Sequence, residues 1–453
     1  MFRRIKLSSI PAFYTFCTNY TICESYYTQE ELRKNDGNNG RPFWVSYKNN
    51  VYDLTDFKNK HPGGNFINQA GGSSVEPFWN YWKIHYNNPT VKSVLNNNKI
   101  GSLIENNNNY NENFYDNQPK RGNYFKVFTY TPYDAETRQY LLNNNQITPV
   151  KFLYIRNHAP VPNMSEDYNI LFLNTKNGDV ELDLKDIETK EIISVLQCAG
   201  NRQKDDYNAN GPNKFTNTVY NDLTNGQMGN IKWKGYDLNK LLKKYYPDQI
   251  NEELNSSDNL WHIKFQGADQ YVSSTPLKYI LERPTLIATH ANDKILTPDH
   301  GYPMRIILPG IIGARNVKWI ESIELSKEIS NSPWNNNYYN DSEGKNIQKF
   351  PIQSIILRHK ILPSNKILIE GVAYSNGIEL DKVEVFDGFK WNNTILESSL
   401  GKYSWRRWSI ILNNKSNIYY SRAIDKMNNI QPKKSKKQNG YIYNGYSILQ
   451  IKK

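Results

Sequence analysis

His61 and His85 stand 24 residues apart. The first sits in His61-Pro62-Gly63-Gly64, where glycines let the backbone come close to a flat ligand. The second follows the aromatic run Phe78-Trp79-Asn80-Tyr81-Trp82. Two imidazoles facing each other across an aromatic, apolar crevice suit a six-coordinate haem iron, which has no open position and can only pass electrons. Upstream, Phe43 to Tyr47, then Lys48-Asn49-Asn50, then Val51 to Leu54 read as a hairpin. Thr55-Asp56 after it reads as a helix N-cap. Either histidine alone would be an ordinary surface side chain. The pair, with the hairpin and the glycine turn, makes a haem site.

Cys198 is a second reactive candidate. It ends the apolar run Ile193-Ser194-Val195-Leu196-Gln197 and opens the turn Ala199-Gly200-Asn201-Arg202. With Arg202 near, its thiol is expected to have a lowered pKa and to serve as thiolate, the form that attacks or binds metal. A lone buried cysteine is usually inert. A nucleophile would want His158 or His300 beside it, and a soft metal would want the thiolate and little else from the protein. Three basic clusters bear on the choice: Tyr154-Ile155-Arg156-Asn157-His158, Asp299-His300-Gly301-Tyr302-Pro303-Met304-Arg305, and Gly310 to Trp319 with Arg315 and Lys318. Glycines with Arg and Lys at strand ends offer open N–H groups and positive charge to a phosphate-bearing cofactor.

The elements that must position these residues fall into blocks. The chain has 453 residues, 56 Lys plus Arg against 44 Asp plus Glu, a net charge of +12 and 38% hydrophobic residues. No apolar run reaches the 18 residues or so of a membrane span, so integral membrane contact is not expected. Three cysteines exclude a disulfide-built secreted scaffold. A basic balance suits anionic partners, but no nucleic-acid motif is present, and Lys433-Lys434-Ser435-Lys436-Lys437 reads as a solvated loop. Residues 1–25 carry Arg3, Arg4 and Lys6 with no acid before Glu24, the profile of a mitochondrial presequence. Cys17 and Cys23 fall there and receive no structural role. A haem block follows at 26–104. Residues 105–122 are Asn-rich, end in Pro119-Lys120-Arg121-Gly122 and read as a flexible tether of about 25 Å. Residues 123–339 mix short apolar runs with helical stretches. Residues 340–453 show period-two runs, such as Ile367-Leu368-Ile369 and Val383-Glu384-Val385-Phe386, between turns such as Asp387-Gly388. That pattern suggests a small β-sandwich.

The first block resembles cytochrome b5 across its whole length. The second and third resemble the molybdopterin and dimerisation domains of the sulfite oxidase family, with Cys198 in the motif Cys-Ala-Gly-Asn-Arg. The order of domains is that of animal sulfite oxidases. Nitrate reductases share the molybdenum core but carry the haem domain after it. The resemblance implies a multidomain α+β protein: a haem domain, an α+β molybdopterin domain and an immunoglobulin-like β-sandwich. It implies Mo-molybdopterin and haem b as cofactors, with Cys198 as ligand to molybdenum and His61 and His85 as axial ligands to the haem iron. Tyr154, Ile155, Arg156, Asn157, His158, Asp269, His300, Arg305, Asn316, Val317 and Lys318 match positions that hold the molybdopterin. Arg156 and Arg406 match arginines of the family's oxyanion pocket, and Tyr339 matches its active-site tyrosine. The implied activity is oxidation of sulfite to sulfate, with electrons passed through the haem to cytochrome c. The implied setting is a homodimer in the mitochondrial intermembrane space.

Three departures accompany the resemblance. Gln203 stands where the family has a second substrate-contacting arginine, which should weaken anion binding. A pocket tryptophan would fall near Leu223, in the divergent stretch from Phe215 to Asn230, and has no equivalent there. The basic-aromatic tail after Asn444-Gly445 is also missing. They motivate two other readings: a molybdenum oxidoreductase of the same fold acting on another oxyanion or S-oxide, and a haem electron carrier whose molybdenum domain is inactive.

Overall fold

The computed structural model describes residues 25–38, 40–81, 85–86, 88–104, 115, 118–184, 187–436 and 438–451. The presequence expected at the N-terminus, with Cys17 and Cys23, lies outside the described residues except for Ser25. So do most of 105–117 and Lys437. The chain divides into two compact units between Asp116 and Asn117. Among the described residues no helix is long and apolar enough to cross a membrane.

The first unit is built on a five-stranded sheet. Its neighbours in order are Tyr26–Tyr27, Lys99–Leu103, Asn50–Asp53, Trp44–Tyr47 and Ser73–Ser74. The hairpin expected from the sequence is present, with Trp44 opposite Asp53 and Tyr47 opposite Asn50. Lys48 and Asn49 make its turn at φ +49° and +62°, the left-handed pair whose twist matches that of the flanking strands. Helix Gln29–Lys34 opens with a Thr28/Glu31 capping box. Helix Pro89–Asn98 has Asn88 as its N-cap and proline in its first turn. Phe43, Val45, Tyr52, Leu54, Val75, Trp79 and Leu95 form the core beneath the histidines. Thr55 does not cap a helix. Its hydroxyl accepts from the Phe43 N–H at 2.8 Å and donates to Asp53, and the chain continues into a short 3₁₀ turn, Lys58–Lys60, with no side-chain cap.

In the second unit, the cysteine strand Thr189–Gln197 pairs antiparallel along all nine residues with Met228–Asp237, which pairs in turn with Leu286–Ala291. Ile231, Trp233, Leu286 and Ile307 pack beneath them with Leu196 and Cys198. A five-stranded sheet runs Gly178–Glu181, Leu171–Thr175, Ile320–Ser326, His262–Gly267, Val272–Pro276, and a three-stranded sheet joins Phe125–Tyr130, Tyr133–Thr137 and Ile155–Arg156. From residue 353 on, two four-stranded sheets face each other over Ile356, Ile367, Ile369, Val383, Val385, Trp408 and Tyr419. Ile367 and Ile369 point inward as the period-two pattern predicts.

The sandwich is fastened to the cysteine strand rather than hung from it. Val195 N–H donates to Tyr403 O, Ile442 N–H to Ala199 O at 2.7 Å, and the Tyr374 hydroxyl to the Gln197 side chain. Arg202, fully buried, donates to Gln353 Oε1 and to the carbonyls of Gly445 and Tyr446 at 2.8–3.1 Å. Removing it orphans those acceptors, which costs about 1–3 kcal/mol each when buried. Arg202→Met is therefore expected to destabilise the second unit by about 3 kcal/mol, visible in calorimetry as a lowered unfolding midpoint.

A cleft around Cys198 and a pair of facing histidines

In the first unit the His61 and His85 rings lie within 9° of parallel with centroids 6.1 Å apart. Metal–imidazole bonds of roughly 2 Å, with about 1 Å from each nitrogen to its ring centre, add up to about 6 Å across one ion. The spacing therefore fits a shared iron. Trp79 stacks on His85 at 5.4 Å. Burial pushes the His61 imidazole down to about 4, keeping it in the neutral form that ligates. The turn glycines have separate tasks. Gly64 takes φ +59°, and a Cβ on Gly63 would stand 2.7 Å from the His61 ring. Gly63→Ala must turn that ring off its rotamer at about 1 kcal/mol, so the haem content of purified protein is expected to fall roughly five- to tenfold.

In the second unit a cleft with about 640 Å³ of empty space, open solvent included, is lined by Tyr154, Arg156, His158, Cys198, Asp269, His300, Arg305, Asn316, Val317, Lys318 and Tyr339. These come from six separated stretches of chain. Leu196, Tyr271, Asp299, Gly313 and Ala314 complete the lining. Sequence reasoning did not single out those five as site residues, although Asp299, Gly313 and Ala314 lie inside its basic clusters.

Cys198 is 8% exposed. Its N–H donates to Gln227 O at 3.0 Å, and the Gln227 amide donates to Asp134 at 2.8 Å. Asp134, fully buried, pairs with Arg156 at 3.2 Å. The expectation that Arg202 lowers the thiol pKa is overturned. The Arg202 guanidinium turns away to Asp205, Gln353 and the carbonyls of the sandwich. Burial instead pushes the Cys198 thiol up to about 11, with Arg156 the leading influence in the opposite direction. Such a thiol ionises when a cation binds it, which is the behaviour of a metal ligand rather than a free nucleophile.

Tyr339 holds φ +54°, and its hydroxyl meets His158 Nε2 at 3.2 Å. Burial keeps the phenol protonated and the imidazole neutral. The His158 ring packs against both Tyr271, stacked at 5.0 Å, and Trp334, tilted at 4.0 Å, and those two rings also meet each other at 5.3 Å. Lys318 donates to Arg156 O, Asn157 Oδ1 and Asp299 O. Its pKa is pushed down to about 7, by burial first and then by Arg305. His300 Nε2 faces the carbonyls of Leu153 and Tyr154 at 3.3 Å, so it carries the proton, and Nδ1 accepts the Thr297 hydroxyl at 2.8 Å. Arg305 spends its two terminal nitrogens on His300 O and Asn316 O. Its buried Nε has no hydrogen-bond partner among the described residues. A buried guanidinium N–H without a partner on a cleft wall fits an anionic group brought by a ligand. A Cβ on Gly313 would stand 2.6 Å from the Tyr154 hydroxyl, so only glycine leaves the cleft open at that point.

Four expected site residues stand elsewhere or act indirectly. Arg406 lies on a sandwich strand, where Nε donates to Glu397 O at 2.7 Å and Nη1 reaches Leu380 O. It does not line the cleft; these contacts hold it at the first residue of its strand, against Glu397 and Leu380. Ile155 is buried with Phe125, Tyr133 and Ala135. Asn157 sits behind the wall, bridging Asp299 and Lys318. The Asn316 amide is taken up by Leu308 N–H and the carbonyls of Ile311 and Ile312. Gln203 is buried and off the cleft lining, its side-chain nitrogen without a hydrogen-bond partner among the described residues. Near the position of the missing tryptophan, the Tyr220 ring lies 5.2 Å from the Arg156 guanidinium. In the C-terminal segment, Tyr441 is buried 5.2 Å from Tyr339. An aromatic among divergent residues gives no periodic signal, so both were missed.

Residues 28–104 match the cytochrome b5-like haem/steroid binding domain, and residues 158–334 match the oxidoreductase molybdopterin binding domain. The chain is 29% identical to the mitochondrial sulfite oxidase of Rattus norvegicus, over 90% of this chain and 80% of that one. It is 29% identical to that of Drosophila melanogaster, over 94% and 80%. Among solved structures, the sulfane dehydrogenase SoxCD of Paracoccus pantotrophus superposes with TM-score 0.58 at 18% identity, covering 74% of this chain and 90% of that chain. Fold and cleft thus define a molybdenum- and haem-containing oxidoreductase, with Mo-molybdopterin and haem b as its cofactors. Within that class the chain belongs to the sulfite oxidase family.

Proposed function

We propose that this protein oxidises sulfite to sulfate in the Cys198 cleft and passes the electrons through the b-type haem to cytochrome c. It does so as a homodimer in the mitochondrial intermembrane space, a setting supported to the extent that the rat and fly relatives are named mitochondrial sulfite oxidases. The observation that carries the reading is the convergence of Cys198, Arg156 and Tyr339 on one cleft, in a chain whose other unit pairs two histidines at iron-sharing distance. Bound there, the molybdenum cofactor supplies two-electron oxygen-atom transfer. The chain's residues do the rest. Cys198 anchors the metal, and Arg305, Lys318 and the backbone of the 313–318 turn hold the anionic cofactor. Arg156, oriented by Asp134, offers a non-titrating cation to the substrate oxyanion. The Tyr339–His158 pair holds a phenolic proton at the cleft wall. The test is an anaerobic absorbance titration with sulfite, finished with dithionite. Sulfite alone should reduce the haem bands; reduction by dithionite only would sink the substrate assignment while leaving the haem. A second reading, another oxyanion or an S-oxide as substrate, is favoured by the absence of Gln203 and Arg406 from the cleft lining.

A further inference from the structure

The end of the inter-unit segment is not a free tether. Gln118 exchanges two hydrogen bonds with the backbone of Val161, and Arg121 grips Asp299 with both arms, Nε to Oδ2 at 2.8 Å and Nη2 to Oδ1 at 2.6 Å. Both side chains are nearly buried, at 10% and 6% exposure. The Tyr133 ring covers the guanidinium at 4.1 Å. Asp299 also accepts from Asn157 Nδ2, its carbonyl holds Lys318 Nζ at 2.9 Å, and it lines the cleft.

This placement creates an electrostatic problem that Arg121 answers. A cleft meant for a phosphate-bearing anion should not present a bare carboxylate, yet Asp299 stands beside His300, Arg305 and Lys318. A buried carboxylate stripped of its partner repels an anion strongly in a low-dielectric site. We infer that Arg121 is a positioning residue for the molybdenum cofactor. From the end of the inter-unit segment it neutralises Asp299, so that the cleft accepts an anionic cofactor. The inference rests on the cofactor assignment and not on sulfite as substrate.

The test is molybdenum and pterin content of the purified full chain, normalised to haem, which the other unit holds and which therefore reports intact protein. Arg121→Met should lower both contents roughly tenfold, whereas Arg121→Lys should keep them within about twofold. Arg121→Met/Asp299→Asn is the deciding variant, because it removes the offending charge without restoring the ion pair. Recovery to within about twofold of wild type is expected. Contents as low in the double variant as in Arg121→Met would show that the contact is only a mechanical staple, and the inference falls. Unchanged contents in Arg121→Met, with slower sulfite-driven haem reduction, would show that Arg121 merely anchors the leash, and the inference falls again. Loss of haem-normalised soluble protein in Arg121→Met but not in Arg121→Lys or the double variant is read from those two, whose contents decide it in the same way.

Discussion

Cys198→Ser should purify with its haem bands unchanged and with sulfite-driven haem reduction lowered more than about 100-fold, because even groups behind a metal ligand cost about 10- to 100-fold when removed. The thiol is buried at the end of a strand paired along its full length, so its position is set by the sheet and not by a loop. Among the described residues no cluster of three or more His, Cys, Asp or Glu side chains gathers to hold an ion, so no neighbouring side chain takes over when the sulfur goes. Serine fits the space, and Gly200 N–H remains beside it, so the fold should survive. A hydroxyl ionises far less readily than a thiol and is a harder donor. Molybdenum content separates the outcomes: a wild-type rate would show that Cys198 is the inert buried thiol that a lone cysteine usually is.

How far the sequence led depends on the reach of each signal. The haem site was legible because its parts are local: a hairpin, a glycine turn and two histidines within about forty residues, each carrying a chain-level reason for its type. The Cys198 strand was legible for the same reason. What escaped was direction. Arg202 lies four residues from Cys198, and sequence proximity suggested that it polarises the thiol. Its left-handed backbone, φ +69°, turns the side chain into the sandwich instead. Arg121 sits in a segment whose composition suggests no fixed place, yet it closes a buried ion pair with a residue 178 positions away. Asp134, Gln227 and Tyr441 belong to the same hidden set, since a buried polar network is defined by partners and leaves no period in the chain. Tyr339 and Ile442 add a further lesson. Both hold positive φ, Tyr339 on the cleft wall at +54° and Ile442, whose N–H donates to Ala199 O, at +47°, a conformation unfavourable for a bulky or β-branched side chain and tolerated where surrounding contacts fix it. Residue types alone do not announce such strain.

The sharpest use of that difference in direction is a pair of arginine substitutions. Arg156→Gln is expected to lower kcat/KM for sulfite by about 10²- to 10³-fold, the usual effect of removing a fixed donor aimed at a reacting oxyanion. Arg406→Gln is expected to stay within about twofold, as for substitutions away from a site. Sequence resemblance alone treats the two as equals in one pocket. The structure separates them by the company they keep: Arg156 lines the cleft with Cys198, and Arg406 caps carbonyls at the edge of the sandwich. Part of the Arg156 effect arises behind it. Burial already pushes Asp134 up to about 6, and Arg156 is the leading influence pulling it down. Without that guanidinium the carboxyl moves further above the usual carboxylate range. A group raised in this way contributes stability that is complete below its unfolded value and is lost as pH rises through its folded value. The Arg156→Gln protein should therefore be penalised more in alkaline than in acid buffer relative to wild type, which thermal unfolding across pH 5 to 9 would show. A large loss of activity in Arg406→Gln, with Arg156→Gln mild, would mean that the substrate meets the protein at the sandwich edge and not over Cys198.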